Sequence, residues 1–430
     1  RTPTADGASG AEMTVESEFK GARRRAAQLG LAMLVIVNVT SQLDRQIMSV
    51  LVEPIRLDLG LSDTQIGALV GIAFAFFHTI AGLPLARIAD RGNRRNLIVA
   101  ALSLWSLMTA ACGLARNYVE LFLARVGVGV GEAGCAPSAQ SILSDTFPAE
   151  RRGRALATYQ LGVPIGLLVG LTGGGYLADL YHWRTVFFVV GLPGLAIAVV
   201  TRLVLREPPR GPGQPVEPVG SVLRYLFALR SIRHHMFACS LHTLTLAATA
   251  TFNFPFLVRV HGFSSTEAGL AIGLLTGIAG GFGTYAGGWL GDHFAARDPR
   301  WRIWWLAIGA VVSVPITIFA YLTESATLSI VALAVGVIGS YMYSGAGHAV
   351  AQSLVKPRMR AMTAASMLFS MNLFGYALGP AVAGAISDAL GGEGALRYAL
   401  SVMTLFLLWA ALHYVLATRT YRDDLGAQLE

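Results

Sequence analysis

The chain has 430 residues, of which 54% are apolar and only 13% are charged, whereas about a quarter of the residues in a typical soluble domain are charged. This balance excludes an ordinary soluble enzyme, and a mean hydropathy of +0.56 excludes a disordered chain. The lipid bilayer is the solvent that fits this composition.

Apolar runs long enough to cross a bilayer, which takes about 20 residues each, recur throughout the chain. Six lie in the first half, near residues 28–51, 64–86, 96–115, 118–143, 154–177 and 184–204. Six more lie in the second half, near residues 236–258, 266–290, 302–322, 326–354, 361–387 and 395–417. The sequence therefore predicts an all-α integral membrane protein with twelve transmembrane helices in two six-helix bundles, residues 24–205 and 234–418.

Three segments lie outside the two predicted bundles. Residues 1–23 are polar and are expected to be disordered, and residues 419–430 form a short tail. Residues 206–233 form a linker. In the linker, the stretch from Ser221 to Ile232 has apolar residues at helical spacing. It is either an amphipathic helix on the membrane face or an extension of the seventh span.

The formal net charge of +8 comes almost entirely from arginines placed at one side of the predicted bundles. Arg23 precedes the first span, Arg91 follows the second, Arg151 follows the fourth and Arg206 follows the sixth. By the positive-inside rule, both termini and the linker are cytoplasmic and the protein is a multi-pass protein of the inner membrane. The charge is thus a topology signal, and we expect no nucleic-acid partner.

Four charged residues lie well away from the ends of predicted spans, where an unpaired charge is costly. Asp44 and Arg45 lie in span one, and Arg125 and Glu132 lie in span four, two helical turns apart and on one face. They either line a transport pathway or form a structural ion-pair cluster that orients two helices. The three cysteines show no ligand spacing, so we expect neither a metal site nor a cofactor.

The stretch from Ala86 to Arg95 resembles the cytoplasmic signature of the major facilitator superfamily. Asp90, Arg91 and Arg94 match it, whereas Ala86 and Asn93 stand where the signature has glycines. A second copy of its beginning, which ends at Asp292, follows in the other half. The resemblance implies two pseudosymmetric bundles and assigns Asp90, Arg91, Arg94 and Asp292 to a latch that holds the cytoplasmic side closed.

Within that superfamily, Leu43 to Arg45 together with Gly131 to Ala133 most resemble the Spinster family. The resemblance implies a proton-coupled transporter of lysolipids or sphingosine-phosphate-like amphiphiles. Asp44, Arg45, Arg125 and Glu132 match that family's buried charged cluster.

Burial favours a protonated carboxyl group and neighbouring arginines favour an ionised one, so access to water can switch Asp44. We therefore expect Asp44 to carry the proton, Arg45 or Arg125 to hold an anionic head group, and Glu132 to pair with Arg125 in the resting state. Aromatic, methionine and histidine side chains of the second half are candidates to line the apolar cavity, although residues at helical spacing are often ordinary packing. These candidates are Phe252, Phe254, Phe256, Tyr341, Tyr343, His348, Met367 and Met371.

Two other functions fit parts of the sequence. An organic-anion or multidrug transporter would keep the fold and change the ligand. An integral-membrane lipid-modifying enzyme would need a nucleophile, a metal cluster or paired acids, but the sequence offers only scattered histidines such as His78 and His242. We therefore expect a monomeric transporter that has no enzymatic activity.

Overall fold

A computed structural model describes residues 6–209, 219–392 and 394–426, and those residues fold into helices without strands. Within these described ranges, eleven helices are long and apolar enough to span a membrane. They run Arg25–Leu59, Asp63–Arg91, Arg94–Cys112, Glu150–Leu180, Trp183–Val204, Arg230–His261, Ser265–Ala295, Trp301–Leu322, Ala326–Ser353, Arg360–Leu390 and Ala395–Gly426.

The remaining span, the fourth, consists of two shorter helices, Tyr118–Glu132 and Cys135–Thr146. A turn at Ala133 and Gly134 separates them. With this broken helix, the described residues contain twelve membrane spans, as the sequence predicted. The break follows directly after Glu132, one of the four charged residues inside the spans.

Three spans contain a π-helical turn, a feature that often occurs at functional sites. The turns are Gly71–Phe76 in span two, Leu275–Ala279 in span eight and Met371–Tyr376 in span eleven. The turns of spans two and eleven face each other across the two halves. A widened helical turn therefore lies on each side of the seam between these spans.

The expectation that residues 1–23 are disordered is wrong for the part that the structure describes, because the helix of span one begins at Asp6. Alanine, glutamate, lysine and arginine are good helix formers, and extending an existing helix avoids the cost of a new nucleus. Residues 1–5 and the tail residues 427–430 lie outside the described residues.

The linker contains a separate short helix, Val219–Ala228, which buries Val222 and Leu226. The backbone leaves helical geometry at Leu229, and span seven begins at Arg230. This segment is therefore a separate helix and not a plain extension of span seven, while its place on the membrane face stays a prediction. Residues 210–218 of the predicted linker lie outside the described part of the chain.

The two halves meet along spans two with eleven and five with eight. We call the side that carries the linker the linker side and the opposite side the far side. On the far side the backbones nearly touch: a Cβ added to Gly67 would lie 2.1 Å from the Pro380 carbonyl oxygen, and one added to Gly384 would lie 2.1 Å from that of Asp63. The structure is therefore closed on the far side.

This close approach predicts opposite outcomes for two glycines of span two. Gly67→Ala forces span two away from span eleven and should lower the stability by about 1–3 kcal/mol. Gly82→Ala meets nothing within 4 Å and should be neutral or stabilising, because alanine is the better helix former. Thermal unfolding in detergent compares the two variants, and equal shifts in midpoint would contradict the packing described here.

Candidate transport site

Span one and span four are joined by an ion pair deep in the first half. Glu132 Oε2 accepts hydrogen bonds from Arg45 Nε at 2.8 Å and from Ser41 Oγ at 3.0 Å. The Arg45 side chain is 34% exposed, whereas that of Glu132 is 1% exposed. Arg45 is therefore the member of this pair that an entering solute can reach.

Asp44 turns away from this pair and toward span three. It is 2% exposed, and its Oδ2 accepts a hydrogen bond from Thr109 Oγ1 at 2.6 Å. Its Oδ1 is buried and has no partner among the described residues. Asp44 lies close enough to Glu132, Arg125 and Arg45 to interact with all three electrostatically.

Arg125 is the most deeply buried cation of the cluster, at 1% exposure. Its Cζ lies 5.2 Å from the centroid of the Phe74 ring, and the Cζ of Arg45 lies 5.0 Å from the same centroid. Within the described chain, Nε and Nη1 of Arg125 have no hydrogen-bond partner. A buried guanidinium with free donors is a site for an anion.

Glycines bring the helices that carry this cluster together. A Cβ on Gly129 would lie 2.6 Å from the carbonyl oxygen of Phe74, and a Cβ on Gly131 would lie 2.8 Å from the backbone nitrogen of Trp105. Spans two and three can therefore press directly against span four, as small residues allow in membrane helices. This contact places the Phe74 ring beside Arg125.

The expected pairing of Glu132 with Arg125 is wrong, since Glu132 pairs with Arg45. Residues seven apart on a helix are separated by about 10 Å along its axis, which makes a direct bond within span four difficult. Arg45 approaches from the neighbouring helix instead.

A histidine that the sequence analysis left outside the site also belongs to it. The His78 ring stacks on Phe74 with centroids 5.5 Å apart, and its Nδ1 lies 3.2 Å from the Gly129 carbonyl oxygen. The four-residue spacing from Phe74 puts both rings on one helix face. The sequence shows the spacing of Phe74 and His78 but not that Phe74 lies beside the arginines. The spacing alone therefore could not assign His78 to the site.

Three of the predicted cavity residues lie in packed helix contacts. Phe252, Phe254 and Phe256 are fully buried in the core, and Phe256 packs against Tyr321 with centroids 5.1 Å apart. These three aromatic residues of span seven therefore do not line an accessible cavity in this conformation.

The other candidates lie in spans ten and eleven. Tyr343 is buried, stacks on His242 with centroids 4.0 Å apart and shares a 3.0 Å hydrogen bond with Thr243. Met367 and Met371 are also buried, whereas Tyr341 and His348 are half-buried.

The residues assigned to the latch separate into two groups. Asp90 and Arg91 are exposed, and no described residue forms an ion pair with either. Arg94 is buried and binds Asp145 at 2.5 Å and Glu207 at 2.7 Å. Arg94 thus fastens the start of span three to the end of span four and to the linker, all within the first half.

The structure also shows the contacts of two more residues of this motif, one that departs from the signature and one in its repeat. Asn93, which replaces a glycine, caps span three, because its Oδ1 accepts a hydrogen bond from the Asn96 backbone nitrogen at 2.9 Å. Asp292 is 79% exposed and lies 3.4 Å from Arg302 of its own half.

Two aspartates hold the far side closed by the same kind of contact. Each accepts hydrogen bonds from the first backbone nitrogens of a helix that belongs to the opposite half. Asp388 accepts hydrogen bonds from the backbone nitrogens of Asp63 and Thr64 at 3.0 and 2.8 Å. Asp179 accepts them from Ser265 and Thr266, also at 3.0 and 2.8 Å. A carboxylate at a helix N-terminus satisfies free backbone donors and complements the helix dipole.

An ion-pair cluster that the sequence analysis missed reinforces the seam between spans two and eleven. Arg259 of span seven bridges Glu53 and Asp63 of the first half. Asp63 also accepts a 2.7 Å hydrogen bond from Ser387.

The sequence pattern of the Major Facilitator Superfamily matches residues 34–373. The chain belongs to the Major Facilitator Superfamily. Its members are transporters rather than enzymes, and the twelve-helix fold described above is theirs.

Relatives within the Major Facilitator Superfamily agree with the resemblance to Spinster. A crystal structure of a bacterial homolog of the human lysosomal transporter Spinster, inward-facing and unoccupied, superposes with a TM-score of 0.85 at 31% identity, over 93% of this chain and 98% of that chain. An MFS-type efflux pump of Mycolicibacterium smegmatis is 33% identical over 96% of this chain and 97% of that protein. Human protein spinster homolog 1 is 28% identical over 84% of this chain and 73% of that protein.

The hydrogen bond from Thr109 to Asp44 should stabilise the fold. Thr109→Val leaves both oxygens of buried Asp44 without a partner and should cost about 1–3 kcal/mol. Thr109→Ser keeps the hydroxyl and should cost much less. Thermal unfolding of both variants in detergent is the measurement, and indistinguishable midpoints would show that this hydrogen bond does not stabilise the fold.

Proposed function

We propose that the protein is a proton-coupled secondary transporter that moves an anionic, lipid-like amphiphile, such as a lysolipid or a sphingosine-phosphate-like molecule, by alternating access. One observation carries the proposal: Arg125 is buried, lies beside Phe74 and has free donors on two nitrogens. A membrane protein keeps such a cation where a ligand or a moving charge will meet it.

The head group would bind between the two arginines. A phosphate or carboxylate could accept hydrogen bonds from the free donors of Arg125 and from Arg45, which is partly exposed. Such an anion would compete with Glu132 for Arg45. Substrate binding would thereby loosen the ion pair that joins span one to span four.

The apolar tail would lie toward the second half. The π-helical turn of span eleven, Met371–Tyr376, faces the turn of span two that carries Phe74, and Tyr376 lies close enough to Arg45 to interact with it electrostatically. Tyr341 of span ten is half-buried and is a further candidate contact. Similarity to human protein spinster homolog 1 and to the bacterial Spinster homolog supports a lipid-like substrate.

Proton coupling would depend on Asp44. Its carboxyl group is buried next to two arginines and a second carboxylate, so a change in access to water or the arrival of an anion alters which protonation state is favoured. Glu132 is the second candidate carrier. The proton would leave Asp44 toward the side to which the site is open.

Alternating access would break the far-side contacts of Asp388, Asp179 and Arg259 and form the latch at Asp90 and Arg91 on the linker side. We assign the linker side to the cytoplasm, which places both termini and the linker there and the protein in the inner membrane as a monomer. Exposure of Asp90 in a structure closed on the far side agrees with a released latch.

A small organic anion or a drug is the competing substrate class, since an arginine binds a carboxylate as readily as a phosphate. The M. smegmatis efflux pump supports this alternative.

The head-group assignment predicts a selective loss of binding. Arg125→Gln should weaken lysolipid binding by at least about tenfold, because a hydrogen bond to a charged group contributes roughly 1.5–3 kcal/mol. Arg202→Gln, a charge-matched change at an exposed position of span six, should leave it unchanged. Calorimetric titration in detergent with lysophosphatidylglycerol, sphingosine-1-phosphate and glucuronate measures this. Binding of glucuronate alone would favour the organic-anion alternative, and equal lysolipid binding by Arg125→Gln would contradict the assignment.

A further inference from the structure

A cavity lies apart from the charged cluster, at the surface of the second half. It is a groove of about 780 Å³ between span seven, the first part of span eleven and the linker helix Val219–Ala228, with Leu83 of span two at one edge. Cavities of this size hold ligands. Neither Asp44, Arg45, Arg125 nor Glu132 lines it.

The walls of the groove are mostly apolar, and the hydroxyl groups of their serines are already bonded. Ser240 donates to the Met236 carbonyl oxygen at 3.0 Å and lies 2.9 Å from Ser370 Oγ. Ser366 donates to the Met362 carbonyl oxygen at 2.9 Å. The groove therefore presents few free donors or acceptors to a polar ligand, and its occupant must be a hydrocarbon chain over most of its length.

One charge lies at the linker-side end of the groove. Among the described residues, Arg233 is the only charged one that lines it, its side chain is exposed, and none of those residues forms an ion pair with it. No acidic residue of the described ranges lines the groove. A cation at this position complements an anionic group, and basic sites between membrane helices on the arginine-rich side are typical of anionic lipid head groups.

The length of the groove matches one leaflet of a bilayer. Leu244, its deepest residue on span seven, lies eleven residues beyond Arg233, which is about 16 Å along a helix. Half of the hydrocarbon thickness of a bilayer is about 15 Å. An acyl chain that begins at the level of Arg233 would therefore end near the bottom of the groove.

We propose that this groove binds an acyl chain of an anionic phospholipid of the linker-side leaflet, with the phosphate at Arg233. The chain would rest on Phe227 of the linker helix and on Phe237 and Phe374 of spans seven and eleven, all of which are exposed. Because Leu83 belongs to the first half and the other walls do not, the bound lipid contacts both halves. Its affinity then differs between conformations, so the lipid shifts the transport equilibrium.

The test uses the purified full chain, stripped of lipid in detergent and titrated with phosphatidylglycerol or with phosphatidylcholine of the same acyl chains. Native mass spectrometry counts the bound lipids and any dimers. We expect one phosphatidylglycerol to bind at least about fivefold more tightly than phosphatidylcholine, the factor that corresponds to about 1 kcal/mol for one arginine near the membrane surface. Equal binding of the two lipids would overturn the proposal.

Two variants test the contact with the lipid head group and the contact with its acyl chain separately. Arg233→Gln should abolish the preference for phosphatidylglycerol, and Ala365→Trp, which fills the groove from an exposed position, should weaken both lipids about tenfold or more. Matched controls are Arg202→Gln and Ala196→Trp, both at exposed positions of span six, and neither should change binding.

Three further results would overturn the proposal. If the controls matched the groove variants, the effects would not be specific to the groove. If Arg125→Gln abolished lipid binding, the lipid would occupy the central site instead. If the lipid-free wild type formed dimers that Ala365→Trp prevented, the groove would be an interface between copies of the chain.

Discussion

Two guanidinium groups held over the same phenylalanine ring are the constraint around which the first half is arranged. Arg45 and Arg125 both lie about 5 Å from the Phe74 centroid, and in a low-dielectric interior such cations need nearby carboxylates or a ligand. Asp44 and Glu132 supply the negative charges, but each leaves one buried oxygen unpartnered. The cluster is formally neutral and incompletely bonded, which suits the proposed exchange of a proton and an anion.

On the far side, a separate set of contacts joins the two halves. Asp388 and Asp179 each close a helix start of the opposite half with nearly identical geometry, so the closure repeats the pseudosymmetry of the fold. Arg259 adds an ion-pair cluster at the seam between spans two and eleven. Opening toward the far side must break both aspartate contacts, and that requirement favours the closed arrangement until binding compensates for it.

The sequence predicted the twelve spans and the charged residues within spans one and four because apolar length and intramembrane charge are local signals. It did not predict which charges pair: Glu132 bonds to Arg45 of another helix, 87 residues away along the chain, and that contact depends on how the helices pack. The far-side aspartates were missed for a similar reason. Asp388 and its partner at Thr64 are 324 residues apart, and both read as ordinary helix-end residues.

Transport into proteoliposomes, with and without an imposed pH gradient, tests the central claim that Asp44 couples transport to protons. The probe is radiolabelled lysophosphatidylglycerol, and the proteins compared are the wild type, Asp44→Asn and Glu120→Gln. Glu120→Gln also replaces a carboxylate with an amide, but at an exposed position of span four. The account predicts that the gradient accelerates uptake by the wild type and by Glu120→Gln but not by Asp44→Asn. Equal acceleration of all three would contradict it and would make Glu132 the next candidate.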